Sequence, residues 1–302
     1  MTNAPQLAEF IIKTHYLKVP PVEIFDVLRN YHITLTFDTF SCQETLARLL
    51  PQEKSAVINL YQSEETIRYT AAFILGAYLL HRDLLINDSH RHTLIAKPFL
   101  SHTYLPFKDA ELFAMTLLTP DFSSPKDNKE VYLHSQKYLL STSCIEARTF
   151  VEEFTLAFMA GKYQATKALP QYPLTSYPIS LEPVLNSLGI DLSYSETLEE
   201  KTLGVLVGKQ IVIPKKLSKE RQRLAKAFLI SKVIDGIENF QLYKEPLFSC
   251  ERFMSKGYSF AGHLLISPDR APYLSSKKIA KKYQVPIDLV DFIKEGERYV
   301  VE

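Results

Sequence analysis

An internal repeat constrains the fold of this chain more than any other feature, because each copy of a repeated domain must bury its own core. The segment VLRNYHITLTF at 27–37 recurs as VLNSLGIDLSY at 184–194, which begins 157 residues later. The segment RYTAAFIL at 68–75 recurs as RLAKAFLI at 223–230, after an offset of 155 residues. The two segments follow each other in the same order in both halves.

Two further blocks extend the repeat toward the C-terminus. FAMTLLTP at 113–120 corresponds to FAGHLLISP at 260–268, and KYLLS at 137–141 corresponds to KYQVP at 282–286. Four collinear matches whose offsets drift slowly are difficult to obtain by chance. The pattern therefore indicates a tandem duplication.

The length of 302 residues suits two domains of about 150 residues each. The stretch ALPQYPLTSYP at 168–178 contains three prolines, which favour extended backbone and cannot continue a helix. We therefore predict a first domain at 1–167, a Pro-rich linker at 168–178 and a second, more diverged copy at 179–302.

Each copy is expected to combine a small sheet with several helices. In the first copy, periodicity predicts a short helix at 21–31, strands at 33–37 and 56–60, and helices at 64–82 and 109–118. The helix at 64–82 is apolar on nearly all sides at its centre, which is typical of a buried central helix. A pair of helices closes each copy.

Two of these segments resemble a known family. YTAAFILGAYLLH at 69–81 and DAELFAMTLLTP at 109–120 resemble the central helix and the following helix of the ImmA/IrrE-type metallopeptidases, in which the first helix carries an HExxH zinc motif. The resemblance covers nearly all of copy one and, more weakly, copy two. It implies an α+β fold with two zincin-like domains in tandem, each mainly helical with a small β-sheet and a C-terminal helix-turn-helix-like pair.

The residues that perform zinc hydrolysis in that family are replaced in both copies. Such hydrolysis requires two imidazoles one helical turn apart, a carboxylate base and a third metal ligand. The resemblance places the two histidine positions of copy one at Phe73 and Ala77, the base at Ile74 and the third ligand at Asp109. The corresponding residues of copy two are Phe228, Lys232, Leu229 and Lys256. We therefore expect no catalytic residues and no bound zinc, which is the cofactor of active relatives.

A displaced metal site is the alternative interpretation. His81 lies two helical turns after Phe73, and His90, His92 and Asp109 are the other candidate ligands. The competing interpretation treats these histidines as solvated loop residues and Asp109 as the cap of its helix, since acidic side chains accept hydrogen bonds from free amides at helix N-termini.

The C-terminal segment 275–293 has the spacing of a helix-turn-helix. Its first helix carries candidate phosphate-binding residues at i, i+4 spacing, namely Lys277, Lys278, Lys281 and Lys282. Its second helix, IDLVDFIKEG, is acidic and apolar, whereas a helix that reads bases needs side chains such as Arg, Asn or Gln. DNA binding and a purely packing role therefore both remain open for this pair.

Composition sets limits on the compartment and the partners. The formal net charge is +1, so any basic surface must be local. Cys42, Cys144 and Cys250 are widely spaced, which suggests neither a disulfide framework nor a zinc site. The N-terminal segment does not read as a secretory signal, and the longest apolar stretch, 69–80, is too short for a bilayer span. We therefore expect a cytoplasmic protein without a membrane segment.

The sequence thus predicts a catalytically inactive pseudopeptidase that acts as a protein-binding regulatory module. The resemblance suggests a repressor or another transcription regulator of a mobile element or stress response as the protein partner. The alternatives are a metallopeptidase with a rebuilt metal site near His81 and Asp109, and a DNA-binding regulator that acts through the C-terminal helices.

Overall fold

The computed structural model is mixed α+β. It describes residues 3–42, 44–88, 92–95, 99, 104–168, 178–244, 252–266 and 274–300. Within these ranges there are eleven helices and eight strands, and the strands form two four-stranded sheets. The internal packing divides the chain into a first unit, Met1–Glu152 with Tyr299–Glu302, and a second unit, Glu153–Arg298.

The first unit begins with two helices. Along the chain, three strands then precede a long central helix and a fourth strand follows it. Its elements are α1 (Ala4–Thr14), α2 (Ile24–Asn30), β1 (Thr34–Asp38), β2 (Thr45–Leu50), β3 (Ser55–Asn59), α3 (Glu64–Asn87), β4 (Thr93–Ile95), α4 (Leu105–Leu118), α5 (Asn128–Tyr138) and the first part of α6 (Thr142–Ala168). The division between the units falls within the range of α6.

The second unit repeats this order of elements. After the remainder of α6 it contains α7 (Glu182–Ser187), β5 (Asp191–Ser195), β6 (Thr202–Val207), β7 (Gln210–Pro214), α8 (Lys219–Ile234), β8 (Asn239–Tyr243), α9 (Arg252–Leu265), α10 (Ser276–Tyr283) and α11 (Ile287–Tyr299). The two strand orders are equivalent, β1-β3-β2-β4 and β5-β7-β6-β8. In each sheet the first pair is parallel and the other two pairs are antiparallel.

The central helix of each unit has an equivalent serine cap at its N-terminus and an equivalent arginine hydrogen bond in its first two turns. Ser63 caps α3 by accepting a hydrogen bond from a backbone amide, and Ser218 caps α8 in the same way. One turn further on, the Arg68 guanidinium donates to the Val22 carbonyl at 2.8 Å, and the Arg223 guanidinium donates to the Ile179 carbonyl at 3.0 Å. These paired contacts are separated by the repeat offset, which supports the duplication inferred from the sequence.

The buried central helix predicted from the sequence is confirmed, because every residue of α3 from Thr70 to Tyr78 is buried. The range of α3 extends to Asn87, beyond the predicted end at residue 82, but its backbone departs from helical geometry at His81. The next helix begins at Leu105 rather than at residue 109, since Pro106 favours the first turn of a helix. Asp109 therefore lies inside α4, and the expectation that it caps this helix is wrong.

The predicted linker lies largely outside the described residues, since 169–177 are not described. Its first residue, Ala168, ends α6. The division between the compact units comes earlier, after Glu152. The boundaries 1–167 and 179–302 stay a prediction.

In each unit the central helix and the helix packed on it approach closely where a glycine of one helix faces a phenylalanine of the other. In the first unit the glycine belongs to the central helix. A Cβ atom added to Gly76 of α3 would lie 2.6 Å from the Phe113 ring of α4. In the second unit the roles are exchanged, since a Cβ atom on Gly257 of α9 would lie 2.5 Å from the Phe228 ring of α8. Both rings are fully buried, so neither can move aside without disturbing the core.

Gly257→Ala is expected to lower the free energy of unfolding of the chain by about 1–3 kcal/mol, because the added methyl group overlaps the Phe228 ring. Urea unfolding followed by circular dichroism measures the change. Phe228→Leu supplies the control, because it removes the clashing ring edge. If the two changes proved additive in the double variant, with no relief of the clash, the packing assigned to this contact would be incorrect.

Candidate functional site

A cavity of about 620 Å³ lies in the first unit. Helix α3 contributes one wall, and edge strand β4 contributes Leu94 and Ile95. The remaining lining comes from Phe99, from α4, from the start of α6 and from four further residues, Leu46, Gln62, Leu140 and Ser141. A volume of this size is typical of sites for small ligands or side chains of a bound peptide.

Three aromatic rings line one part of the cavity. The rings of Tyr69 and Phe99 meet edge to face with centroids 5.1 Å apart, and the rings of Tyr69 and Phe73 are 6.5 Å apart. Phe73 in turn packs edge to face on Phe107 at 5.4 Å, which holds it in place from outside the cavity. Two of the three rings, those of Tyr69 and Phe73, are therefore carried by the central helix α3, whereas Phe99 lies between β4 and α4.

A buried carboxylate lies at the same cavity. The Glu111 side chain belongs to α4 and is 3% exposed, and the Tyr69 hydroxyl is hydrogen-bonded to it. Burial raises the pKa of Tyr69 well above its ordinary value, and the negative charge of Glu111 adds to this shift. Burial also raises the pKa of the Cys144 thiol, again with a contribution from Glu111. Desolvation is the larger cause of both shifts, and the Glu111 carboxylate adds to each of them.

The positions assigned to the zinc motif are occupied by buried side chains. In the first unit these residues are Phe73, Ile74 and Ala77, and in the second unit they are Phe228, Leu229 and Lys232, all with 0% exposure. Apolar burial at such positions stabilises a core by roughly 1.5–3 kcal/mol per large side chain. Five of the six positions thus contribute apolar volume to the core.

The candidate ligands of a displaced metal site are only partly brought together. His81 Nε2 lies 2.6 Å from Asp109 Oδ2, within the first unit. His92 Nε2 instead lies 2.8 Å from the Leu85 carbonyl oxygen, and His90 is outside the described residues. In the part of the chain that the structure describes, no group of three or more His, Cys, Asp and Glu side chains is arranged to hold a metal ion.

The interpretation of His81 as a solvated loop residue is wrong. His81 lies inside α3, at a point where the backbone departs from helical geometry with φ −141° and ψ 23°. Its side chain is 16% exposed, and its partner Asp109 is 18% exposed. The local irregularity and the pairing with α4 were not evident from the polar sequence that follows the helix.

The second unit has a different polar pair at the corresponding place. Lys256 Nζ lies 2.5 Å from Asp235 Oδ1, which also accepts a hydrogen bond from the Gln164 amide at 2.9 Å. Lys232 is fully buried, with its ammonium 4.8 Å from the Phe228 ring centroid and 5.4 Å from that of Phe240. Burial lowers the pKa of Lys232 to about 8, although the charge of Asp235 opposes the shift.

A serine, a histidine and a glutamate of the second unit form a chain that the sequence did not suggest. Ser259 Oγ lies 3.3 Å from His263 Nδ1, and His263 Nε2 lies 3.1 Å from Glu297 Oε1. This order matches a nucleophile, base and acid. However, Ser259 is fully buried and its hydroxyl donates to the Phe158 carbonyl at 2.6 Å. The serine therefore acts as an interior hydrogen-bond donor and not as a nucleophile.

The C-terminal helices have the predicted helix-turn-helix spacing. The second of them, α11, lacks the side chains that would contact bases in a DNA groove. The candidate phosphate-binding residues, Lys277, Lys278, Lys281 and Lys282, are all exposed on α10. Helix α11 buries its apolar face, where the Phe292 ring packs against Phe158 and Tyr258 with centroids about 6 Å apart. The buried face explains why this helix is apolar, as the packing interpretation requires.

The buried ammonium of Lys232 predicts a stability that rises with pH. An unfolded lysine holds its proton up to about pH 10.5, whereas folded Lys232 releases it near pH 8. Below pH 8 both states are protonated and the folded state carries the full cost of the buried charge, on the order of 3 kcal/mol. Between about pH 8 and 10.5 the unfolded state binds more protons, so stability increases there.

Lys232→Met is expected to raise the free energy of unfolding at pH 7 and to remove this part of the pH dependence. Urea unfolding between pH 7 and pH 10.5 measures both effects. Lys216→Met at an exposed position is the matched control and should leave the pH profile unchanged. An identical rise with pH in the wild type and in Lys232→Met would show that Lys232 is not its source.

Within the described residues, no helix combines the length and apolar character that a membrane crossing requires. No protein-family model and no curated protein matches this chain. The chemistry of the cavity in the first unit is therefore the basis for assigning a function.

Proposed function

We propose that this protein is a catalytically inactive, ImmA/IrrE-like pseudopeptidase that binds a segment of another protein in the cavity of its first unit. The proposal includes a zincin-like origin for both units and a regulatory role in the cytoplasm. By analogy with the family that the sequence resembles, the partner is a transcription regulator of a mobile element or stress response.

The observation that carries the proposal is that the cavity adjoins the position where the resemblance would place the first zinc ligand. Phe73 occupies this position, and its ring lines the cavity. The same ring is fully buried, so apolar volume stands where a hydrolase would need an imidazole. Such a groove could still bind a protein segment, although it lacks the imidazole ligands that a zinc hydrolase needs for cleavage.

The edge strand beside the cavity offers a second point of attachment. The strand order places β4 at one edge of its sheet, and Ile95 of this strand is 41% exposed. An extended peptide can pair with such an edge through backbone hydrogen bonds while alternate side chains enter an adjacent pocket. This geometry favours an extended protein segment as the occupant.

The contact between His81 and Asp109 favours a second candidate function, a metallopeptidase with a rebuilt site. The two side chains lie within 2.6 Å and both are partly exposed. A zinc hydrolase commonly uses three protein ligands and an open position for water. The pair supplies two ligands, so this candidate needs a third from residues outside the described ranges, such as His90.

Metal analysis separates the two candidates. We expect purified protein incubated with zinc to retain much less than one equivalent after dialysis, and Asp109→Ala to bind the same small amount, because two ligands hold zinc weakly. Elemental analysis by mass spectrometry provides the measurement. Stoichiometric zinc that disappears in Asp109→Ala would exclude the pseudopeptidase.

Blocking the cavity tests the binding site itself. Ala147 lines the cavity from α6, so Ala147→Trp should fill part of its volume and weaken binding of the partner by about tenfold or more. Ala160→Trp is the matched control, because Ala160 is exposed on the same helix and does not line the cavity. The partner is first recovered by crosslinking in the native host, and its affinity for each variant is then measured by fluorescence anisotropy. Equal affinities for the two tryptophan variants would place the binding site elsewhere.

A further inference from the structure

The two units differ in net charge. The sequence of the second unit, Glu153–Arg298, has 21 Lys and Arg against 16 Asp and Glu, whereas the rest of the chain has 14 against 18. The formal charge of +1 is therefore the sum of a basic second unit and an acidic first unit. Such an asymmetry between two halves of a chain suggests an anionic partner for the basic half.

Four lysines on one helix contribute much of this positive charge. The exposed residues of α10 are its four lysines, namely Lys277, Lys278, Lys281 and Lys282, which together form the lysine face. In the part of the chain that the structure describes, no side chain forms an ion pair or a hydrogen bond with their ammonium groups. The recorded contact is with an aromatic ring, since Lys282 Nζ lies 5.2 Å from the centroid of Tyr283.

The acidic side chains of the neighbouring helix α11 are mostly directed to other cationic groups. Three of them have such contacts at 2.5–3.1 Å, namely Asp288 with Arg221, Glu295 with Arg298 and Glu297 with His263. The fourth, Asp291, is exposed. The contacts of α11 therefore leave the charges of the lysine face available to a ligand.

Packing fixes the helix that carries these lysines. Ile279 and Tyr283 are buried on the opposite side of α10, and the Lys294 ammonium of α11 donates to the Leu274 carbonyl at 3.0 Å, just before α10 begins. Residues four apart on a helix lie one above the other, about 6 Å apart along the axis, so the lysines form two rows of two. A fixed array of this kind loses little conformational entropy when the helix binds.

The composition of α10 favours a phosphate backbone over a membrane or another protein. A membrane-binding helix exposes apolar side chains that enter the headgroup region, but Ile279 and Tyr283 are buried in the protein. A protein partner normally contacts an apolar or aromatic centre, and the exposed residues of α10 are lysines alone. Duplex DNA carries one negative charge per about 1.7 Å of its axis, so it can contact several of these lysines at once.

We propose that the lysine face of α10 binds the phosphate backbone of duplex DNA without reading its sequence. In a helix-turn-helix the first helix crosses the backbone and the second reads bases in the groove. Here α10 supplies the backbone contact, whereas α11 buries Phe292 and Ile293 and has no side chains suited to bases. The lysine face shares no residue with the cavity of the first unit, so this inference goes beyond the proposed function.

The salt dependence of DNA binding tests the lysine face. The probe is a fluorescein-labelled duplex of about 20 base pairs, and fluorescence anisotropy gives its affinity for the full chain between about 50 and 200 mM KCl. We expect log Kd to rise linearly with log salt, with a slope of about 3 to 4, because each lysine displaces counterions from one phosphate. Two duplexes of unrelated sequence should bind within about twofold of each other. No binding at the lowest salt, or an affinity that does not change with salt, would overturn the inference.

Charge removal locates the surface. Replacing the four lysines of the lysine face by glutamine should weaken binding at least about tenfold at low salt and lower the slope by about 3 to 4. The charge-matched control replaces four exposed lysines of the first unit by glutamine, namely Lys13, Lys18, Lys126 and Lys129. It should keep the slope of the wild type. Equal losses in the two variants would attribute binding to net charge and exclude the lysine face.

A smaller variant keeps the test valid if the quadruple variant fails to fold by circular dichroism. Lys277→Gln combined with Lys281→Gln removes one row of the lysine face and should lower the slope by about 2. A folded double variant with the slope of the wild type would contradict the inference.

Two other anionic probes check the class of partner. Vesicles that contain phosphatidylserine represent a membrane, and poly-glutamate represents an acidic protein segment. At equal charge concentration we expect both to bind more weakly than the duplex, because neither matches its charge density. Tighter binding of the vesicles or of poly-glutamate would assign the lysine face to that partner instead of DNA.

The proposed function and the lysine face fail independently. If Ala147→Trp weakens binding of the protein partner while the quadruple glutamine variant binds DNA normally, the lysine face is wrong and the proposed function stands. If the quadruple variant loses DNA binding while Ala147→Trp leaves partner binding unchanged, the lysine face stands and the proposed function is wrong.

Discussion

Burial of one central helix in each unit is the constraint on which the rest of the structure depends. Every residue from Thr70 to Tyr78 in α3 is buried, and so is nearly every residue from Leu224 to Lys232 in α8. A polar group in such a place must find a partner or lose several kcal/mol of hydration. The arginine near the start of each helix meets this requirement only in part. One guanidinium nitrogen donates to a backbone carbonyl, whereas Arg68 Nε and Arg223 Nε and Nη2 are buried without a hydrogen-bond partner among the described residues. The same requirement favours the apolar residues at the centres of these helices, among them Phe73 and Phe228.

The two units share the buried central helix and differ in the charged side chains that surround it. Where the end of the central helix meets the next helix, the first unit pairs His81 with Asp109 and the second pairs Asp235 with Lys256. The second unit also buries the Lys232 ammonium in its core. An ammonium repels a metal ion, so the charge of Lys232 disfavours a metal at this position of the second unit. Among the described residues that line its cavity, the first unit has three glutamates and no lysine or arginine.

Periodicity and the repeat were sufficient to predict the central helix, the paired closing helices and the repeated order of elements. They missed β2 and β4, because β2 is buried on both faces and β4 has three residues, so neither shows a clear alternation. The start of α4 was misplaced by four residues because the signal of Pro106 was overlooked. The cavity could not be predicted at all, since Tyr69, Phe99 and Glu111 become neighbours only through the packing of α3 on α4.

Under the proposed function, the position of Phe73 links the cavity to the absence of cleavage. A zinc hydrolase needs an imidazole at the assigned ligand position, and the Phe73 ring stands there and lines the cavity. Glu111 lies two residues beyond the assigned third-ligand position, Asp109, and is buried at the same cavity. The edge strand β4 beside this cavity adds backbone groups that can pair with an extended segment. These walls would favour recognition of a protein segment over its cleavage.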